Sequence, residues 1–195
     1  MRIILFVIWI LIPVGALAYH MGPGQDQLDL ESASQMLVAA DVLAEDESWA
    51  KAQAAYETAL TLVPEDNDQL VRKIRLQRAK AQMHNAQLPA AHQELKSLVA
   101  ELSDDKDSDR EIVEDAQSTL ANSQFYMTWL MRLEGLAPEQ WQPEIDAAQQ
   151  TYRMLAENND GDSVKFTAYR EDLESSIKLA RMDLGELQGL PLPSQ

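Results

Sequence analysis

The segment Trp49–Pro64 constrains the fold more than any other part of this sequence. Its small and bulky apolar residues recur at helical spacing and so share one side of a helix. They are Ala52, Tyr56, Ala59 and Leu60. Ser48 stands where an N-cap is expected, and Pro64 stands where a helix should stop. The segment therefore predicts one amphipathic helix.

Similar stripes of small and bulky residues return later in the chain, at unequal intervals. One stripe comprises Ala91, Leu95, Leu98 and Leu102, and another comprises Ala148, Tyr152 and Leu155. Ala40 and Ala79 each lie twelve residues before the first alanine of the next stripe. Small residues at such positions let two antiparallel helices approach closely. The spacing predicts helix pairs in an irregular array.

Residues 33–66 resemble one tetratricopeptide repeat. The first helix has the bulky Met36, the pair Ala39-Ala40 and then Leu43, in the order that the family uses. Two positions depart from the family, since Ala40 replaces a glycine and Leu43 replaces an aromatic residue. The resemblance implies a right-handed stack of helix pairs. It also implies that a concave surface, lined by the first helix of each pair, binds partners.

The whole sequence predicts an all-α fold of about seven helices, stacked as antiparallel pairs with a C-terminal capping helix. The predicted helices cover residues 28–44, 49–64, 69–85, 89–102, 110–134, 144–157 and 163–188. The predicted domain organisation has four parts. They are a targeting segment at 1–18, a linker at 19–27, a helical domain at 28–188 and an extended tail at 189–195.

Residues 1–18 have the pattern of an export signal. Arg2 precedes an apolar run, and Ala16-Leu17-Ala18 predicts cleavage before Tyr19. The competing interpretation is an uncleaved N-terminal anchor. The first places the protein in the periplasm or outside the cell, and the second places it on the inner membrane facing the periplasm. We expect membrane contact only through residues 1–18, if they stay uncleaved.

Composition narrows the classes of function. The formal net charge is −16, so the chain repels nucleic acid and anionic lipid headgroups. There is no cysteine, which excludes disulfides, thiolate metal sites and a cysteine nucleophile. The three histidines lack a carboxylate at helical metal-site spacing, and the serines form no catalytic motif. The sequence therefore predicts no catalytic, cofactor or metal residues, and it favours a protein that is not an enzyme.

The basic residues concentrate in the predicted third helix. Arg72, Arg75 and Arg78 lie there with Lys73 and Lys80. One interpretation is a basic groove that binds an acidic peptide or a carboxyl terminus. The alternative is that these side chains pair with carboxylates of the same acidic chain. The three arginines are candidate partner-binding residues on the first interpretation.

The stretch 124–135 (QFYMTWLMRLEG) is the densest in aromatic residues and methionine. Its apolar residues surround most of a helix, which is typical of a helix at the centre of a fold. The alternative is a contact site for a partner, because tryptophan and methionine favour such surfaces. Trp129 is the fourth candidate partner-binding residue.

The segments 124–135 and 178–195 also resemble parts of uncharacterised exported repeat proteins of planctomycete-type bacteria, a resemblance that supplies no activity. We expect a non-catalytic scaffold or adaptor of the bacterial cell envelope that binds a protein or peptide partner. Two alternatives stay open. One is a structural helical bundle without an open groove, and the other is an accessory subunit of an enzyme.

Overall fold

The computed structural model describes residues 23–64 and 67–189. Over these residues the chain is all-α, with eight helices and no strand, and neighbouring helices pack pairwise as in a helical repeat array. The helices are α1 (Pro23–Glu45), α2 (Trp49–Leu62), α3 (Asp68–His84), α4 (Leu88–Asp104), α5 (Arg110–Leu133), α6 (Pro138–Asn158), α7 (Ser163–Arg181) and α8 (Leu184–Gln188). The predicted fold class is confirmed.

The chain divides within α3 into two compact units, Met1–Ile74 and Arg75–Gln195. The sequence predicts one domain over 28–188 and gives no sign of this division. Helical periodicity continues without interruption through the boundary, because a single helix belongs to both units.

In the first unit, α1 packs against α2. The stripe predicted for α2 is buried at Ala52, Tyr56 and Ala59. The hydroxyl of Tyr56 donates a hydrogen bond to Asp41 Oδ1 of α1 at 2.7 Å. This bond satisfies the phenol at the point where its ring fills the space beside the small residues.

The buried side of α1 differs from the predicted one. The prediction names Met36, Ala39, Ala40 and Leu43, whereas the fully buried residues are Ala33, Leu37 and Ala40. Ala39 is exposed. The repeat pattern placed Ala40 correctly but rotated the rest of the apolar side, since the many alanines of α1 leave its hydrophobic face poorly defined.

In the second unit, successive helices from the end of α3 through α7 pack together. The end of α3, α4 and the first part of α5 share one apolar cluster, α5 packs against α6, and α6 packs against α7. The predicted stripe of α4 is fully buried at Ala91, Leu95, Leu98 and Leu102. Ala79 of α3 is also completely buried in this cluster. The two alanines therefore allow the close helix contact that their spacing predicts.

Helix α5 lies at the centre of the second unit. It contacts α4, α6 and α8, and its second half packs Phe125, Trp129 and Leu133 against a cluster from α6, α7 and α8. Between Ile112 and Leu133 the only exposed residue is Asn122. The all-round apolar character of 124–135 thus corresponds to central packing.

Two predicted helix starts are wrong. Helix α1 begins at Pro23, so residues 23–27 of the predicted linker are helical. Helix α6 begins at Pro138 and contains Pro143, although the sequence predicts a loop there. Pro138 fits the first turn of α6, because the missing N–H of a proline there has no intrahelical partner. The side chain of Gln140 supports the start of α6 by accepting a hydrogen bond from the Ala137 N–H at 3.3 Å.

The predicted seventh helix is broken into α7 and α8. Asp183 caps α8, accepting a hydrogen bond from the Glu186 N–H at 2.7 Å, and Glu186 reaches back to Asp183. This capping box starts a new helix. Arg132 of α5 also donates hydrogen bonds to the carbonyl oxygens of Leu179 and Met182, which satisfies the end of α7.

Several predictions lie outside the described residues. They concern the targeting segment 1–18, the first four residues of the linker and the tail from 190 onward. Within 23–64 and 67–189, no helix is both long and apolar enough to cross a membrane.

Ala91 and its neighbour Ala90 allow a matched test of the close packing. Ala91 is completely buried, whereas Ala90 is exposed. We expect Ala91→Leu to lower the free energy of unfolding by about 1–3 kcal/mol, because overpacking forces the helices apart. Ala90→Leu should change it by less than about 0.5 kcal/mol. Urea denaturation followed by circular dichroism measures both, and equal stabilities would contradict the packing described here.

Candidate functional site

In the second unit, arginines of the predicted basic groove form ion pairs with carboxylates of the same chain. Arg75 turns toward α4, where its Nε lies 2.5 Å from Glu94 Oε1 and its Nη1 lies 2.5 Å from Glu101 Oε2. The remaining guanidinium nitrogen, Nη2, donates a hydrogen bond to Glu101 Oε1 at 3.0 Å. The hydrogen bonds that Arg75 donates to Glu101 raise the pKa of Arg75 above its already high value. This is the paired arrangement that the sequence left as the alternative.

Arg78 is also paired within the second unit. Arg78 Nη2 forms an ion pair with Glu94 Oε2 at 3.2 Å, so it shares the carboxylate that binds Arg75. Arg72 belongs to the first unit. Carboxylates of the same chain thus pair with Arg75 and Arg78, which is the alternative interpretation of these residues, and their partner-binding role stays a prediction.

Trp129 is partly buried inside the second unit. Its ring meets Phe125 edge to face, with centroids 5.9 Å apart, and both rings pack against the cluster of Ile145, Leu179 and Leu187. Such a contact stabilises the core, since aromatic pairs prefer this geometry. These contacts agree with central packing of Trp129, and its partner-binding role stays a prediction.

Two polar contacts join helices that are not consecutive in the chain. Lys80 of α3 donates hydrogen bonds to both carboxylate oxygens of Asp115 on α5, at 2.8 and 2.7 Å. Lys165 of α7 donates to Glu114 Oε1 of α5 at 2.8 Å. The adjacent carboxylates of α5 thus connect it to α3 and to α7 at its surface in the second unit. We call this surface the α3–α5–α7 face and define it by Lys80, Glu114, Asp115, Asn122, Lys165 and Tyr169.

Glu114 is the most highly connected carboxylate of the α3–α5–α7 face. It accepts hydrogen bonds from Lys165 and from the hydroxyl of Tyr169, the latter at 2.9 Å. Burial on its own would raise the pKa of Glu114, but these hydrogen bonds outweigh burial and lower it. Burial and the bond to Glu114 raise the pKa of Tyr169, so its phenol stays protonated. The ionised carboxylate thus fixes α7 against α5.

Asn122 is an exposed residue of α5 on the α3–α5–α7 face. It follows Asp115 by seven residues, which places both on the same side of α5. Its side chain is exposed, although the rest of this helix between Ile112 and Leu133 is buried or partly buried. An amide side chain carries both donors and an acceptor. The face therefore has a neutral, hydrogen-bonding centre beside the paired charges.

A second polar group is buried where α4, α5 and α6 meet. His92 Nδ1 lies 3.0 Å from Ser123 Oγ, and His92 Nε2 lies 3.5 Å from Glu144 Oε2. Gln124 also donates to Glu144 Oε2 at 3.1 Å, and Lys96 Nζ lies 3.5 Å from its other oxygen. Burial lowers the pKa of His92, and it outweighs the attraction of Glu144.

A serine, a histidine and a carboxylate in this order share the connectivity of a hydrolase triad. The surroundings differ from those of a catalytic site. The side chain of Ser123 is completely buried inside α5, and its hydroxyl lies 2.7 Å from the carbonyl oxygen of Leu120. A nucleophile must reach a substrate, and helical N–H groups already bonded within α5 cannot form an oxyanion hole. The group instead connects three helices.

Sequence reasoning missed this group because its members are far apart in the chain. The spacing rule for a helical metal site considers only carboxylates one helical turn from a histidine, whereas Ser123 lies 31 residues from His92. A weak signal was present, since His92 falls next to Ala91 on the buried stripe of α4. A polar residue at the edge of such a stripe requires a buried partner.

Other surface features offer less specific chemistry. A groove of about 380 Å³ lies along α7 and α8. It is lined by Glu174, Ile177, Lys178, Arg181, Met182 and Glu186. Two carboxylates and two cations among these residues favour neither an anion nor a cation. Within the described ranges, no cluster of three His, Asp or Glu side chains has the arrangement to hold a metal ion.

Comparison with known proteins finds no family model, no curated protein and no solved structure that matches this chain.

The ion pair between Arg75 and Glu101 can be tested with a double-mutant cycle. We expect Arg75→Gln and Glu101→Gln to show a coupling energy of roughly 0.5–1 kcal/mol, because Glu101 is 43% exposed and solvent screens the pair. The coupling should decrease in 1 M salt, where the Debye length is about 3 Å. The exposed pair Arg170 and Glu174, at 3.8 Å, serves as the control and should show less coupling. Equal couplings would argue against a specific α3–α4 contact.

The lowered pKa of Glu114 predicts a loss of stability in acid. As the pH falls below the ordinary glutamate pKa of about 4.3, the unfolded chain binds this proton first, so the native state loses relative stability. The contribution is complete above that pH and disappears as the pH falls through the native pKa. We expect Glu114→Gln to flatten the dependence of the urea midpoint on pH between 5 and 3. The exposed Glu157→Gln is the control and should keep the wild-type slope.

Proposed function

We propose that this chain is a non-catalytic protein-binding module of the bacterial cell envelope, with its partner bound on the α3–α5–α7 face. One observation carries the proposal. The contacts of Lys80 with Asp115 and of Glu114 with Lys165 connect α5 to the alternate helices α3 and α7. In a tetratricopeptide-like stack, the first helices of successive pairs have this arrangement and line the binding surface. The envelope location is supported only by the export pattern of residues 1–18.

The chemistry of the face suits a peptide segment. The cations Lys80 and Lys165 are each neutralised by a carboxylate of α5, so the face does not select an acidic ligand by charge. Asn122 offers a donor and an acceptor, which match the C=O and N–H groups of a polypeptide main chain. We therefore place the recognition of a partner at Asn122 and its surroundings rather than at the arginines of α3.

The second candidate is a structural helical bundle without an open groove. This candidate is favoured because predicted partner-binding residues contact other residues of the same chain. Arg75 and Arg78 bind carboxylates of α4, and Trp129 packs in a cluster. An enzymatic role has less support, because the Ser123 hydroxyl is completely buried.

Site-specific photo-crosslinking distinguishes the two candidates. We expect a benzophenone amino acid at Asn122 to form a covalent product with a discrete partner protein in envelope fractions of the source cells. The same probe at Gln93, an exposed amide residue on α4, is the matched control. Products at both positions, or at neither, would count against binding on the α3–α5–α7 face and would favour the structural bundle.

A further inference from the structure

The buried group formed by His92, Ser123 and Glu144 contains one hydroxyl proton that can point in two directions. Ser123 Oγ lies 3.0 Å from His92 Nδ1 and 2.7 Å from the carbonyl oxygen of Leu120. A hydroxyl has a single hydrogen to donate. The proton on the imidazole ring therefore determines which of these two hydrogen bonds Ser123 makes.

The neutral ring has one favourable tautomer here. Because Nε2 faces the carboxylate of Glu144 at 3.5 Å, it carries the hydrogen, and Nδ1 then accepts a hydrogen bond from Ser123. The protonated ring donates from both nitrogens. Ser123 must then accept from Nδ1, and its own hydrogen turns to the Leu120 carbonyl. Protonation thus reverses the hydrogen bond between α4 and α5.

We propose that His92 is a proton-sensitive switch at the junction of α4, α5 and α6, and that proton uptake reverses its bond to Ser123 and weakens the packing of these three helices. The weakening comes from placing a positive charge on a ring that is only 8% exposed. The proposal does not depend on the function proposed above.

The charged groups that face His92 act in opposite directions. Glu144 of α6 attracts the protonated ring, whereas Lys96 on the same helix as His92 repels it. From helix α5, the uncharged Ser123 contacts His92, and the uncharged Gln124 contacts Glu144. Burial prevails and lowers the pKa of His92 below the ordinary histidine value. As the pH falls below that value, the unfolded chain binds the proton first, so native stability decreases toward acid and is fully present above it.

The test is a nitrogen-15 NMR titration of the histidine rings in the whole chain, with the urea-unfolded chain as reference. We expect His92 to titrate at a lower pH in the native chain than in the unfolded chain. At neutral pH its nitrogen shifts should report the tautomer protonated at Nε2. The unfolding equilibrium constant should increase by up to about tenfold per pH unit between the two pKa values. His92→Gln should remove this part of the pH dependence.

Two variants separate a switch from a merely structural role. Lys96→Gln should raise the pKa of His92, and Glu144→Gln should lower it further, because each removes one of the opposing charges. Lys96 is 49% exposed, so its variant remains informative if His92→Gln fails to fold. Titration of His92 at or above its pH in the unfolded chain, or a shift in the same direction in both variants, would overturn the proposal.

Discussion

The structure depends on how closely its helices approach one another at small residues. Ala79 and Ala91 are completely buried in one cluster of the second unit, and Ala40 and Ala52 are equally buried in the first. A methyl side chain leaves room for the bulky neighbours to interdigitate, as Leu95 and Leu98 do around Ala91. This constraint explains why alanine and leucine, rather than aromatic residues, dominate the buried stripes.

Close packing also determines the fate of the polar side chains. Where helices approach closely, a polar group between them loses water and must find a partner in the protein. His92 finds Ser123 and Glu144, and Arg75 finds Glu94 and Glu101. In a chain with a net charge of −16, carboxylates are abundant, so basic side chains pair within the chain. The acidic composition thus explains why Arg75 contacts carboxylates of the same chain.

The sequence predicted local structure well where the apolar period and the helix-breaking residues indicated the same helix. The helix bounds of α2, α4 and α5 and the buried stripes of α2, α4 and α6 follow from apolar spacing. It failed where a local signal interrupted the period. Pro143 lies inside α6, and Asp183 with Glu186 starts α8 although Leu184 and Leu187 continue the preceding pattern. The candidate partner-binding residues were harder to assign, because an arginine on a helix has the same sequence pattern whether it faces solvent or a carboxylate.

By itself the sequence determined an all-α chain of paired helices, since small and bulky residues at helical spacing bury only one side of each helix. It also determined that the chain is acidic and lacks cysteine. Only the tertiary structure decided which side chains meet. It joined Lys80 to Asp115 and Glu114 to Lys165, left Asn122 exposed between buried neighbours, and placed His92 between two helices. These contacts connect residues dozens of positions apart, and helical periodicity carries no information beyond a single helix.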